Sequence, residues 1–188
     1  MDEKISIEAS VCFTGYRPGK LSFGYDDASP AYTALAAAIS REIELLVGGG
    51  MRIFYCGMAQ GSDMLCAEAL FALRESRGWA DVTLRAVLPC AGQWRGWPDD
   101  ARRRAADLLR GCGSVTLLQR EYTPDCMQRR NRYMIDRSAA LLAIYDGKPG
   151  GTANTVNYAI SKGRGVVIIR PDDLQRIAIC GENYSMFE

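Results

Sequence analysis

The feature that most constrains this chain is a repeated alternation. Short, nearly continuous apolar runs are followed by longer stretches whose apolar residues recur every three or four positions. The runs lie at 10–15 (SVCFTG), 51–57 (MRIFYCG), 83–89 (TLRAVLP), 114–119 (SVTLLQ), 139–147 (centred on ALLAIYDG) and 165–171 (GVVIIRP). Each is bounded by Gly, Pro or a polar cluster, and each is apolar along most of its length rather than at every second residue. That pattern predicts strands covered on both faces, and hence a parallel sheet. The intervening stretches predict helices over 30–47, 62–77, 99–110, 124–137 and 152–162. In the first of them Tyr32, Leu35, Ala36, Ile39, Ile43, Leu46 and Val47 share one side. Pro30 suits its opening turn, and Gly48, Gly49 and Gly50 end it. In the helix at 99–110, Arg102, Arg103 and Arg104 mark an outer face.

Strand–helix alternation throughout implies right-handed crossovers. The expected fold is an α/β, Rossmann-like, doubly wound and mostly parallel sheet flanked by helices in three layers. At 188 residues the chain fits a single domain over 1–188, with no repeat or linker. The tail after Pro171 carries no clear pattern.

Composition excludes several classes. Lys+Arg number 23 and Asp+Glu 22, a net charge of +1, which gives no strong electrostatic case for nucleic acid or an anionic membrane. There are 7 cysteines, none in a C-x-x-C pair, and no histidine. This argues against a zinc site and against any His-based triad, and no metal or cofactor is expected. Scattered cysteines in odd number fit reduced thiols in a cytoplasmic protein. The opening MDEKISIEAS lacks a basic start and an apolar run, so no signal peptide is legible, and no apolar stretch is long enough to span a bilayer.

In doubly wound sheets ligands bind outside the carboxyl ends of the strands. The chemically distinctive loops fall at those ends. Gly57-Met58-Ala59-Gln60-Gly61-Ser62-Asp63 joins a strand to a helix, where backbone N–H groups and the helix dipole attract an anion such as phosphate. It is neither G-x-G-x-x-G nor a Walker loop, and a tight turn capped by Ser62 explains it equally well. Pro149-Gly150-Gly151-Thr152-Ala153-Asn154-Thr155 is a second such loop. Thr14-Gly15-Tyr16-Arg17-Pro18 leaves the first strand; Arg17 suits a phosphate and Tyr16 a base. Trp94 and Trp97 suit stacking, although loop tryptophans more often fold back onto the core. Arg129, Arg130 and Arg132 form either a phosphate patch or a solvated helix face.

Together these blocks carry a resemblance. TGYRPGKL, CGMAQGSDMLCAEAL and RRNRYMIDRSAALLAIYDGKPGGTANTVNYAISKG resemble the YpsA/YoqJ-like family of the SLOG superfamily of Rossmann-like domains. That superfamily includes the LOG phosphoribohydrolases, formerly called lysine decarboxylase-like, and the DNA-processing protein DprA. The DprA pattern S-G-x-A-x-G-x-D is similar to the stretch from Cys56 to Asp63. The LOG pattern M-x-x-R-K…P-G-G-x-G-T-x-x-E is similar to Met127…Arg130-Asn131 and to the stretch from Pro149 to Asn157. Departures are Asn131 for the Lys, Ala153 for the second motif Gly and Asn157 for the Glu.

The resemblance implies a phosphate-bearing, nucleotide-derived ligand, ADP-ribose-like, NAD-like or a nucleoside monophosphate, bound by a sensor or effector. Its expected contacts are Thr14, Gly15, Arg17, Gly57, Gly61, Ser62, Asp63, Arg130, Gly150, Gly151, Thr152, Thr155 and Asn157, with Tyr16 or Trp94 against a base. The alternative is a LOG-like nucleoside 5'-monophosphate phosphoribohydrolase. Arg130 and Asp63 are then the catalytic candidates, with Asp146 behind them, because cleavage of an N-glycosidic bond needs a carboxylate beside the ribose. DprA-like binding of single-stranded DNA is disfavoured by the near-zero charge. By analogy with LOG-type relatives, a homo-oligomer is expected.

Overall fold

A computed structural model describes residues 7–179. They form one seven-stranded sheet in the order β4-β3-β2-β1-β5-β6-β7. The strands are β1 (Ser10–Gly15), β2 (Ile53–Cys56), β3 (Thr83–Leu88), β4 (Ser114–Leu117), β5 (Ala140–Ile144), β6 (Gly165–Ile169) and β7 (Arg176–Ile179). All neighbours pair in parallel except β6 and β7, which are antiparallel. The helices are α1 (Pro30–Gly48), α2 (Ser62–Arg77), α3 (Asp99–Gly111), α4 (Cys126–Asp136) and α5 (Gly151–Ser161). The fold is an α/β, Rossmann-like, doubly wound sheet.

The strand order explains the layers. From β1 the chain steps outward through β2, β3 and β4, then returns to lay β5 on the other side of β1. Right-handed crossovers therefore send α1 to α3 to one face and α4 and α5 to the other. Contacts agree: α1 packs on α2, α2 on α3, and α4 on α5. β5 and β6 are buried at every residue, as strands between two helical layers must be. Phe13 and Phe54, both fully buried, stack at 5.5 Å between ring centroids on adjacent central strands.

Local chemistry sets the ends of the elements. Ser29 accepts from the Ala31 N–H at the start of α1, and Gly78 ends α2 in the left-handed conformation. The tail without a legible pattern contributes β7, pinned by Arg176 Nε to the buried Glu42 of α1 at 2.7 Å. Arg104 does not share the outer face of its neighbours. It turns inward, donating through Nη2 to Glu68 at 2.6 Å and to the Tyr32 hydroxyl at 2.9 Å. A half-buried carboxylate on α2, that of Glu68, outweighs the helical stripe. No described helix is long and apolar enough to cross a membrane.

Order reverses between β1 and β5, and there the packing is tight. A Cβ on Gly15, the last residue of β1, would meet Ser62 Cβ at 2.4 Å and Ile144 Cβ at 2.9 Å. Gly15→Ala is expected to cost about 1–3 kcal/mol of stability, as overpacking does. Gly48→Ala, where a Cβ meets nothing within 4 Å, is expected to be neutral or to gain a few tenths. Urea denaturation of both variants checks the contrast.

Candidate functional site

Because β1, β2 and β5 are parallel neighbours, the loops that leave them open on one edge of the sheet. The reversal of order between β1 and β5 parts their outgoing chains and leaves a crevice there. Its volume is about 210 Å³, and it is lined by Thr14, Gly15, Tyr16 and Arg17 from the β1 end, Asp63 from α2, Arg130 from α4, and Gly151 and Thr152 from α5, with Lys20, Ala59, Met127 and Asn131 completing the wall.

Arg130 is the central group. Its side chain is 5 % exposed, and that of Asp63 is 7 %. Arg130 Nη1 lies 3.7 Å from Asp63 Oδ2, too far for a hydrogen bond, and it has no hydrogen-bond partner. Arg130 Nε donates to Asn131 Oδ1 at 2.8 Å. The guanidinium lies directly against the backbone of Gly57, where a Cβ would stand 1.5 Å from Nη1. Glycine at 57 is what admits Arg130. Burial lowers the pKa of Arg130 and raises that of Asp63. The two charges oppose these shifts in each other, and the nearby Arg17 also favours the Asp63 carboxylate.

The two glycine loops differ. Three N–H donors of the Gly57–Asp63 loop, those of Met58, Ala59 and Ser62, are met within the protein. Met58 N–H meets Cys56 Sγ at 3.4 Å, and Ala59 N–H meets Asp63 Oδ2 at 3.2 Å. Ser62, expected to donate to a phosphate, is fully buried, and both its N–H and its hydroxyl donate to the Tyr16 carbonyl at 3.0 Å. Gly61, at φ +90°, lets the Tyr16–Arg17 backbone pass; a Cβ there would meet the Tyr16 carbonyl at 2.5 Å. So Gly57 and Gly61 serve the protein's own packing, one beneath Arg130 and one beneath β1.

The α5 loop is open. Its N-cap, Gly150, supplies no side chain, and the first N–H returned to its carbonyl is that of Asn154, at 3.0 Å. The N–H groups of Gly151, Thr152 and Ala153 have no helical acceptor. Lys20 stands beside them, its Nζ 3.2 Å from where a Gly150 Cβ would be and 5.1 Å above the Tyr16 ring.

The remaining expected residues scatter. Tyr16 is 5 % exposed, and its hydroxyl donates to Asp146. Lys20 covers its ring, which limits stacking. Hydrogen bonds from Lys148 and Tyr16 hold Asp146 well below the usual carboxylate range. Trp94 lies outside the crevice, tilted against Trp97 at 6.2 Å and packed on the core, because burying its ring outweighs exposure in a loop. Thr155 accepts from Asn131 Nδ2 at 2.8 Å and donates to the Gly151 carbonyl at 3.0 Å, tying α4 to α5. Asn157 is exposed and lines a groove between α4 and α5 that meets the crevice at Asn131. Of the three arginines, only Arg130 reaches the crevice; Arg129 bonds Gln119 at 2.9 Å and Arg132 lies over Tyr158.

Sequence reasoning missed Lys20 and Gln93. Gln93 is buried and donates to the carbonyls of Gly57 at 2.9 Å and Met58 at 2.8 Å, clamping the loop beneath Arg130. Only its place in a loop after β3 hinted at this. Among the described residues no group of His, Cys, Asp or Glu could hold a metal ion.

Comparison with known proteins follows the same lines. Residues 11–170 match the profile of the YspA SLOG family, YpsA. A UPF0398 protein of Bacillus anthracis is 29% identical over 156 residues, covering 81% of this chain and 83% of that one. DNA processing protein A from Helicobacter pylori, whose structure concerns its single-stranded DNA binding mode, superposes with a TM-score of 0.58 at 15% identity over 87% of this chain. DNA processing protein A from Streptococcus pneumoniae gives 0.58 at 17% identity over 89% of this chain. This chain spans 66% of the first of those structures and 52% of the second.

The contact of Gly57 with Arg130 yields a double-mutant test. Gly57→Ala is expected to cost about 1–3 kcal/mol by displacing the guanidinium. In an Arg130→Ala background the same change is expected to cost less than half as much, because the space is then free. Chemical denaturation of the four proteins measures the coupling, and additive effects would refute the contact.

Proposed function

The chain belongs to the YspA SLOG family, and from that premise we propose that it binds a phosphate-bearing, nucleotide-derived ligand as a sensor or effector. The observation that carries this reading is the buried Arg130 Nη1, without a hydrogen-bond partner, in the same crevice as the open start of α5. A buried guanidinium costs several kcal/mol unless its donors are met. An anion supplies what is missing. Its oxygens accept from Arg130 and from the N–H groups of Gly151 and Thr152, while Arg17 and Lys20 balance its charge. Thr14, Gly15 and Asp63 form the walls on which a sugar rests. The balance of 23 basic against 22 acidic residues favours a small anion over an extended polyanion such as single-stranded DNA.

Calorimetry with AMP, ADP-ribose and adenosine tests this. AMP and ADP-ribose are expected to bind at least about tenfold more tightly than adenosine, the scale of one charge-assisted contact. Arg130→Ala is expected to abolish that difference. Equal affinity of wild type for AMP and adenosine would remove the phosphate assignment.

The same geometry argues against rapid N-glycosidic hydrolysis. Asn157 carries no charge and lies in the groove between α4 and α5, and the Asp63 carboxylate is already turned to the Ala59 N–H and Arg130. Base release from AMP, followed by chromatography, is expected to stay at background for wild type. Robust turnover abolished by Asp63→Asn would establish the enzyme instead.

A further inference from the structure

The crevice holds about 210 Å³, below the range of about 300–1,000 Å³ that encloses a whole drug-sized ligand. It suits a phosphate and a sugar; the rest of a nucleotide needs another place. A second cavity, of about 330 Å³, lies on the other side of the same two loops. Tyr16, Arg17 and Ala59 line the crevice, whereas the adjoining Pro18, Gln60 and Gly61 line the second cavity.

The second cavity has the opposite character. Its walls are Phe23, Tyr25 and Tyr32, with Met64 and Leu65 behind them. Phe23 and Tyr32 meet edge to face at 5.4 Å, and Tyr32 is fixed by the Arg104–Glu68 pair. Tyr25 is 74% exposed, a large ring left uncovered at the rim. The charged groups at the mouth include Asp27 and Asp100, both exposed. Carboxylates there repel a phosphate and accept from N–H donors. Arg104 also lines this cavity, but its guanidinium is engaged by Glu68 and the Tyr32 hydroxyl, whereas Arg17, Lys20 and Arg130 stand at the crevice. Charge therefore assigns an anionic end to one cavity and a planar, uncharged, N–H-bearing end to the other.

Building on the nucleotide reading above, we propose that this second cavity, between the Leu21–Ser29 loop, α2 and α3, receives the nucleobase of the ligand whose phosphate lies at Arg130. Tyr25 closes over the ring, Phe23 and Tyr32 floor it, and Asp27, Asp100 and Gln60 meet its polar edge. The groove between α4 and α5, of about 340 Å³, is the competing place. It is walled by amides such as Gln128, Asn154 and Asn157, and its aromatic ring, Tyr158, is already engaged by Arg132 and Lys162, each 5.3 Å from the centroid.

Calorimetry with ribose 5-phosphate, AMP and GMP, on wild type, Tyr25→Ala and Asn157→Ala, separates the outcomes. Both nucleotides are expected to bind wild type more tightly than ribose 5-phosphate by about tenfold, the scale of one stacked base. Tyr25→Ala is expected to erase that excess and leave ribose 5-phosphate unchanged, which also shows the variant is folded. Asn157→Ala is expected to change neither. The base assignment is overturned if nucleotides bind no better than ribose 5-phosphate, if Tyr25→Ala keeps the excess, or if Asn157→Ala removes it. If ribose 5-phosphate and nucleotides all fail to bind wild type, the phosphate reading fails first and takes this one with it.

Discussion

The buried guanidinium of Arg130 organises this end of the molecule. Removing a cation from water costs several kcal/mol, so everything around it must be arranged to tolerate it. Asp63 supplies a countercharge from α2, Asn131 accepts from Nε, and Gly57 makes room by having no side chain. Gln93 reaches in from the loop after β3 to hold the carbonyls of Gly57 and Met58. Elements far apart in the chain thus converge on one side chain, yet its Nη1 is left without a hydrogen-bond partner. A structure that goes to this length for a charge, and leaves Nη1 without an acceptor, fits an external acceptor.

How much of this was legible in the sequence follows from how local each determinant is. Strands such as β1, β5 and β6 announce themselves, because a segment buried on both faces must be apolar throughout. Helix α1 is marked by Pro30 and by the glycines that end it. β7 was not visible: four residues, two of them exposed, depend on pairing with β6 and on Arg176 reaching Glu42. The family blocks led to Arg130, Gly151 and Thr152, which do line the crevice.

What failed was any inference about the direction of a donor. Nothing in a glycine-rich loop says whether its N–H groups face a ligand or the protein. For Ser62 they face the Tyr16 carbonyl, and for Gly151 they have no helical acceptor. Tyr16 and Trp94 read as stacking rings, but Tyr16 is buried and Trp94 packs half-buried against the core. The Leu21–Ser29 loop carried no pattern, since the cavity beside it forms only when α2 and α3 pack against it. Arg104 shows the same limit, its helical stripe predicting solvent while Glu68 draws it inward.

The two hydrogen bonds from Ser62 to the Tyr16 carbonyl have a mechanical consequence. They rivet the end of β1 to the first turn of α2, so those two walls travel as one rigid body. The opposite wall, the exposed Gly147–Gly150 stretch leading into an uncapped helix, is held more lightly, by Lys148 donating to Asp146 through its N–H at 3.0 Å and its Nζ at 2.6 Å. Any adjustment to an occupant must come from that side, so the crevice works as a vice with one fixed jaw and one sprung one.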